Sequence, residues 1–213
     1  MKERAGGRDV EGRVAGVILA AGRSTRMPGG SKLLRKFGES TVIHRLVSTA
    51  LSSGLDPVIV TLRHDETGVE EVLADLEVRF ARVPESPEGR LISAFAGIAA
   101  LPDEPVVAAM ILLGDEPGLS PDDVRTMRSA WEANESGALR PRFRDRAGHP
   151  VVLSRDALEV ISHFDRVPDP EIGLWDLVIR SGIPHMEVPI DRLAPVDVDT
   201  PTDLALAREM ERH

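Results

Sequence analysis

VAGVILAAGRSTRMPGGSK, residues 14–32, runs from a continuous apolar segment straight into a loop with three glycines, a proline and three cations. An unbroken apolar run of strand length, with no polar alternation, reads as a strand buried on both faces and therefore as part of a mainly parallel sheet. A loop leaving the carboxyl end of such a strand lies where ligands gather in open α/β sheets. Gly22 permits close approach of backbone to a bound group, successive amides there can form an anion nest, and Arg23, Arg26 and Lys32 can neutralise phosphates. Five of the 26 basic residues (Arg23, Arg26, Lys32, Arg35 and Lys36) crowd into residues 23–36 of a chain whose formal net charge is −9. So dense a cationic loop in an acidic protein points to a local anion.

Outward from this stretch the same alternation continues. TVIHRLVSTALSSG (41–54) spaces Val42, Leu46, Ala50 and Leu51 as a helix, and PVIVTL (57–62) is the next buried strand. TGVEEVLADL predicts a short helix, EVRFARV a strand, GRLISAFAGIAAL (89–101) a small-residue helix, and VVAAMILL (106–113) the longest apolar strand. SPDDVRTMRSAWEAN opens with a Ser cap, Pro at the first helical position and two carboxylates in the first turn. Beyond it, GALRPRF and HPVVLS read as short strands around RDRAG, RDALEVISHF and IGLWDLVIRSG as helices, and HMEVPI and APVDV as late strands. TPTDLALAREMER closes the chain as a helix capped by Thr200, with Pro201 next and Asp203 three residues after the cap. The expected fold is a Rossmann-like α/β fold, a mainly parallel sheet with helices on both faces and a small antiparallel element near 138–153.

The chain has 213 residues, enough for one substantial domain, expected over 13–213 after a polar, flexible leader at 1–12. Aromatic residues make up 3% and Tyr is absent, which disfavours the stacking platforms that hold single-stranded nucleic acid. The acidic balance argues against nucleic acid and anionic membranes as partners. With no Cys there is no thiolate nucleophile, disulfide or Cys-based metal site. Neither a signal peptide nor an apolar run of membrane-spanning length is visible, so the cytoplasm is the expected location. The dinucleotide fingerprint G-x-G-x-x-G does not occur, and Lys32, followed by Leu33, does not complete a Walker loop. Nicotinamide dehydrogenases and P-loop NTPases are disfavoured accordingly.

LAAGRSTRM with Lys32 downstream resembles the signature L-A-A-G-x-S-x-R-M…K of nucleotidyltransferases of the molybdenum-cofactor type, most closely the molybdenum cofactor cytidylyltransferases. GRLISAFAG (89–97), GDEP (114–117), GHPVVLS (148–154) and DVDTPTDLALA (197–207) extend the likeness over nearly the whole chain, in the family's order. The resemblance implies a Mg²⁺-dependent transfer of CMP from CTP to the phosphate of molybdopterin or its molybdenum form, with release of pyrophosphate. It implies an NTP site of Leu19, Ala20, Ala21, Gly22, Arg23, Ser24, Arg26, Lys32, Gly89, Ser93 and Asp115, with Arg26, Lys32 and Asp115 catalytic. Gly148, His149 and Pro150 would meet the phosphorylated pterin, and a molybdoenzyme or its chaperone would be the downstream partner. Related guanylyltransferases typically begin L-A-G-G, so LAAG favours CTP over GTP. The same chemistry on another phosphorylated acceptor, or a non-catalytic NTP- or pterin-binding accessory protein, are the alternatives. Three features depart from the family pattern: the segment MPGGSK, where relatives run through a shorter G-x-x-K; DPEIGLWDL (169–177), where the family often carries a G-D-x-G-x-R-like stretch near the second substrate; and Glu116 beside Asp115.

Nucleotidyl transfer concentrates negative charge around the α-phosphorus, and Mg²⁺ held by one or two carboxylates is the usual answer. Asp115 emerges from the end of a buried strand, and its alternative role is a turn or cap aspartate. Asp199 lies just before a capped helix, where Asp197 competes with it; the resemblance gives the metal to the residue preceding Thr-Pro, hence Asp115 and Asp199. His149 serves equally well as a substrate contact or as a structural strand-start residue. Arg140, Arg142, Arg144 and Arg146 would share one face of a hairpin, either attracting an anion or keeping a sheet edge solvated.

Overall fold

A computed structural model of the chain describes residues 12–83, 90–102, 106–134, 137–164 and 172–212. Gly89 and residues 1–11 of the expected leader lie outside them. In chain order the elements are β1 (Arg13–Leu19), a hairpin of β2 (Lys36–Phe37) and β3 (Ser40–Thr41), α1 (Val42–Ser52), β4 (Val58–Arg63), α2 (Gly68–Val72) and β5 (Arg79–Val83). Then come α3 (Arg90–Ala99), β6 (Val106–Leu113), α4 (Pro121–Asn134), β7 (Ala138–Arg142), β8 (Val151–Ser154), α5 (Arg155–Ser162), α6 (Leu174–Arg180), β9 (His185–Pro189) and α7 (Pro201–Met210).

Seven strands form one sheet in the order β5-β4-β1-β6-β8-β7-β9. Its pairings are parallel except those of β8, which runs against both β6 and β7. The antiparallel pairing expected near 138–153 is therefore β7 with β8, built into the main sheet, while β2 and β3 form a separate two-stranded antiparallel sheet. From β1 the chain moves outward through β4 and β5, then crosses back to β6 on the other side of β1. That reversal opens a crevice at the carboxyl ends of β1 and β6.

The apolar runs lack alternation because both faces are covered. Along β1, Val14 and Ile18 enter one cluster with α1, α4 and α7, while Ala15 and Val17 enter a second with α3, α5 and α6. α3 presses hardest on the sheet, and Gly97 is the reason. A Cβ at Gly97 would stand 2.2 Å from Val17 Cγ1 and 2.9 Å from Thr61 Cγ2. Gly97→Ala gains about 1 kcal/mol of helix propensity, yet must push two stiff β-branched neighbours aside in a closed core. Overpacking wins, and we expect a net loss of about 1–3 kcal/mol, read from urea unfolding.

APVDV differs from expectation. Residues 194–198 form no strand. Side chains hold the segment in place of a ladder: Ala194 N–H donates to Asp145 Oδ1 (2.8 Å), and Arg192 grips the buried Asp123 at the start of α4. Burial opposes ionisation of Asp123, but Arg192 and the Ser120 hydroxyl and amide outweigh it and hold the carboxyl below the usual range. Among the described residues no helix is long and apolar enough to cross a membrane.

Candidate active site

β1 and β6 stay side by side to their last residues, Leu19 opposite Leu113, and Gly114 N–H then donates to Leu19 O (2.9 Å). A Cβ at Gly114 would lie 2.9 Å from that same oxygen, so only glycine lets the two chain ends remain in contact here. This fixes the loop after β1 against Asp115. Ala20 is buried and its N–H reaches Thr61 O (3.1 Å), while a Cβ at Gly22 would meet no atom within 4 Å. The backbone at Gly22 thus faces open space at the crevice, as an approach path for a ligand requires.

From Arg23 the chain turns, with Thr25 N–H donating to Arg23 O and Met27 N–H to Ser24 O, and buried Met27 and Leu33 anchor the two sides of the loop. Gly29 and Gly30 take φ of 76° and 112°, conformations that an L side chain rarely adopts. Arg35 donates to Pro28 O and Ser24 Oγ accepts from Lys32 N–H (2.9 Å), which ties the MPGGS segment back on itself. The segment therefore aims Lys32 inward. Its ammonium donates to Asp115 Oδ2 and to Asp199 Oδ1 (2.7 Å), and Arg26 donates to Asp199 Oδ2 (2.7 Å).

Two backbone features bring Asp199 there: Val198 N–H donates to Asp115 O (2.9 Å), and the Thr200–Asp203 capping box starts α7 immediately afterwards. Asp197, two residues earlier, turns instead to Arg146 (3.1 Å). Lys32 is 10% exposed at its side chain, and Asp115 and Asp199 are 22% and 25% exposed. Burial works against the ammonium, but Asp115 and Asp199 more than offset it and raise the Lys32 pKa above its ordinary value. Two carboxylates thus converge on one cation position. A divalent ion, which favours one or two carboxylates with phosphate and water oxygens completing its shell, suits that donor pair once Lys32 turns away. Asp115 and Asp199 fit a divalent-cation site on this ground.

The other expected residues fall at the same end of the sheet. Ser93, buried on α3, lies one turn before Gly97 on the same helix face, toward the crevice. β8 pairs Val151 with Ile111, so Gly148, His149 and Pro150 lie beside the end of β6. Gly148 is packed on Phe143, to which its Cβ would come within 3.0 Å, and Pro150 is buried. The arginine series does not form one free face. β7 ends at Arg142; Arg140 pairs with Glu187 and stacks on Trp175, Arg144 pairs with Asp191, and Arg146 turns to Pro195 O and Asp197. That face is not left open to solvent or to an anion, because each of these three guanidiniums meets its own partner on the segment 175–197. Glu116, flagged only as a departure from a pattern, is 1% exposed, and its carboxyl has no hydrogen-bond partner among the described residues. Burial first, then Asp197 and Asp115, push that carboxyl well above the usual range against the pull of Arg146.

Known proteins resemble the chain along nearly its whole length. The chain is 25% identical over 194 residues to the molybdenum cofactor cytidylyltransferase of Escherichia coli (strain K12), covering 91% of this chain and 94% of that one. It is 27% identical over 212 residues to the molybdenum cofactor guanylyltransferase of Mesorhizobium japonicum, covering 92% and 95%. Among solved structures, Rv0371c from Mycobacterium tuberculosis H37Rv superposes with a TM-score of 0.80 at 28% identity, over 93% of this chain and 98% of that one. Residues 16–199, which run from β1 to Asp199, match the MobA-like NTP transferase domain, and the chain belongs to that family of nucleotidyltransferases.

Proposed function

We propose that the chain, as a nucleotidyltransferase domain over residues 13–213, transfers CMP from CTP to the terminal phosphate of molybdopterin or its molybdenum form. An oxygen of the acceptor phosphate bonds to the α-phosphorus, the bond to the β-phosphate oxygen breaks, and pyrophosphate leaves with the electron pair. The observation that carries this reading is the convergence of Asp115 and Asp199 on Lys32, with Arg26 alongside, at the mouth of the crevice. Held by the two carboxylates, Mg²⁺ would supply the charge neutralisation that an attack on a polyanion requires.

The chain's own residues do the rest by positioning. Without ligand, Lys32 and Arg26 neutralise the carboxylates; with nucleotide bound they turn to the triphosphate, alongside Arg23, Ser24 and the backbone of residues 19–22. Ser93 sits where the base would be read, and residues 148–150 flank the place the pterin would occupy. Rate enhancement then comes from orientation and fixed charge. LAAG and the cytidylyltransferase relative support CTP, while the guanylyltransferase relative makes GTP the reading to exclude.

Thermal unfolding with CTP, GTP, ATP and UTP, each with and without Mg²⁺, separates them, because a ligand that binds the folded state raises its midpoint by mass action. We expect a rise with CTP that depends on Mg²⁺. A rise with GTP alone would reassign the base, and no rise with any nucleotide would contradict the site.

A further inference from the structure

We propose that Arg146 binds the acceptor phosphate, the anion that attacks the nucleotide; this rests on the transfer reaction proposed above. The sheet order sets the frame. The phosphate-binding loop leaves β1, Asp115 leaves β6, and the turn carrying Arg146 joins β7 to β8 on the far side of β6. In-line displacement needs the entering and leaving oxygens on opposite sides of the α-phosphorus. With Arg23, Arg26 and Lys32 on the β1 side, the entering phosphate needs a cation on the β8 side.

Arg146 is the arginine of its series that reaches the carboxylate-bearing loops. Its Nη2 donates to Pro195 O (2.6 Å) and Asp197 Oδ1 (3.1 Å) and stands 3.9 Å from Glu116 Oε1, while its side chain is 40% exposed. Arg140, Arg144 and Arg192 are each committed to a carboxylate elsewhere. Both hydrogen bonds of Arg146 among the described residues leave from one terminal nitrogen, so the remainder of a five-donor fork is available to a phosphate.

Glu116 explains why the guanidinium is held there. Its side chain is almost wholly buried beside the Asp197 carboxyl, and neither of its oxygens accepts a hydrogen bond from a cationic or amide donor among the described residues, which is rare enough to require a cause. Glu116 and Asp197 bracket a single guanidinium that bonds one and lies just beyond reach of the other. A short movement from Asp197 onto Glu116 satisfies the buried carboxyl and presents the free edge of the fork to the crevice. Glu116 is then a positioning residue for Arg146.

Inorganic phosphate, titrated calorimetrically into protein loaded with Mg²⁺ and a CTP analogue carrying a methylene α,β-bridge, reads this site without the pterin. We expect phosphate binding by the wild type, about 10- to 100-fold weaker binding by Arg146→Ala, and partial recovery in Arg146→Lys, with unchanged affinity for the analogue in all three. Equal phosphate affinity in Arg146→Ala, a parallel loss of nucleotide affinity, or no phosphate binding by the wild type would each overturn the assignment. If the phosphate results hold but the wild type transfers no CMP to molybdopterin, the acceptor named above is wrong and Arg146 keeps its role.

Discussion

Asp115→Asn is expected to lower kcat by about a thousandfold or more, since it removes charge from the position where, in the proposed reaction, the metal and the reacting phosphates would meet. The substitution keeps the shape of the side chain and an oxygen that can still accept from Lys32. It also leaves untouched the backbone bonds from Val198 N–H to Asp115 O and from Gly114 N–H to Leu19 O. Stability should therefore change by about 1 kcal/mol or less, the usual scale for one hydrogen bond made less strongly. Pyrophosphate release measured beside urea unfolding separates the two effects. Undiminished release by a folded Asp115→Asn protein would remove Asp115 from the reaction and with it the catalytic reading.

Lys32→Met should be nearly as damaging, by a different route. The thioether fills the space of the lysine stem but leaves Asp115 without its lysine counter-ion, facing an Asp199 that keeps Arg26, with both carboxylates about three-quarters buried. We expect a loss of about 1–3 kcal/mol in the ligand-free protein, or roughly 2–4 °C in Tm per kcal/mol for a chain of this size, recovered in part when Mg²⁺ is added. Turnover should fall about 100- to 1,000-fold through the missing cation. The pH dependence has a definite sign. Because the folded protein raises the Lys32 pKa above 10.5, the stabilisation is complete below that pH and fades as pH climbs through the raised value. Wild type should lose stability there, and Lys32→Met should lack that component; an identical alkaline profile in both would contradict the ion-pair geometry.

The legible parts of the sequence were those where local chemistry and tertiary environment agree. β1 and β6 are continuous apolar runs because both their faces are covered, and Thr200-Pro201 with Asp203 marks the start of α7 because the cap is a local device. APVDV misleads because an apolar run shows that a segment is buried, without showing whether a neighbouring strand offers it a ladder. The alternating arginines misled for a related reason: their partners Glu187, Asp191 and Asp197 come from 47 to 51 positions away. The cationic loop was visible, but the carboxylates that Lys32 bridges lie 83 and 167 positions away, and only the fold joins them. Glu116 stood out as an extra charge, while its complete burial follows from the turn after β6 and could not be read from GDEP.

If a divalent ion takes the place of Lys32 between Asp115 and Asp199, Mn²⁺ binding in the absence of nucleotide reports the exchange. With free Mn²⁺ followed by electron paramagnetic resonance, Lys32→Met should bind the ion more tightly than wild type, because no ammonium competes for the two carboxylates. Wild type should approach that affinity only when CTP draws Lys32 away. Weaker or equal Mn²⁺ binding by Lys32→Met, or undiminished binding by Asp115→Asn, would show that the metal sits elsewhere.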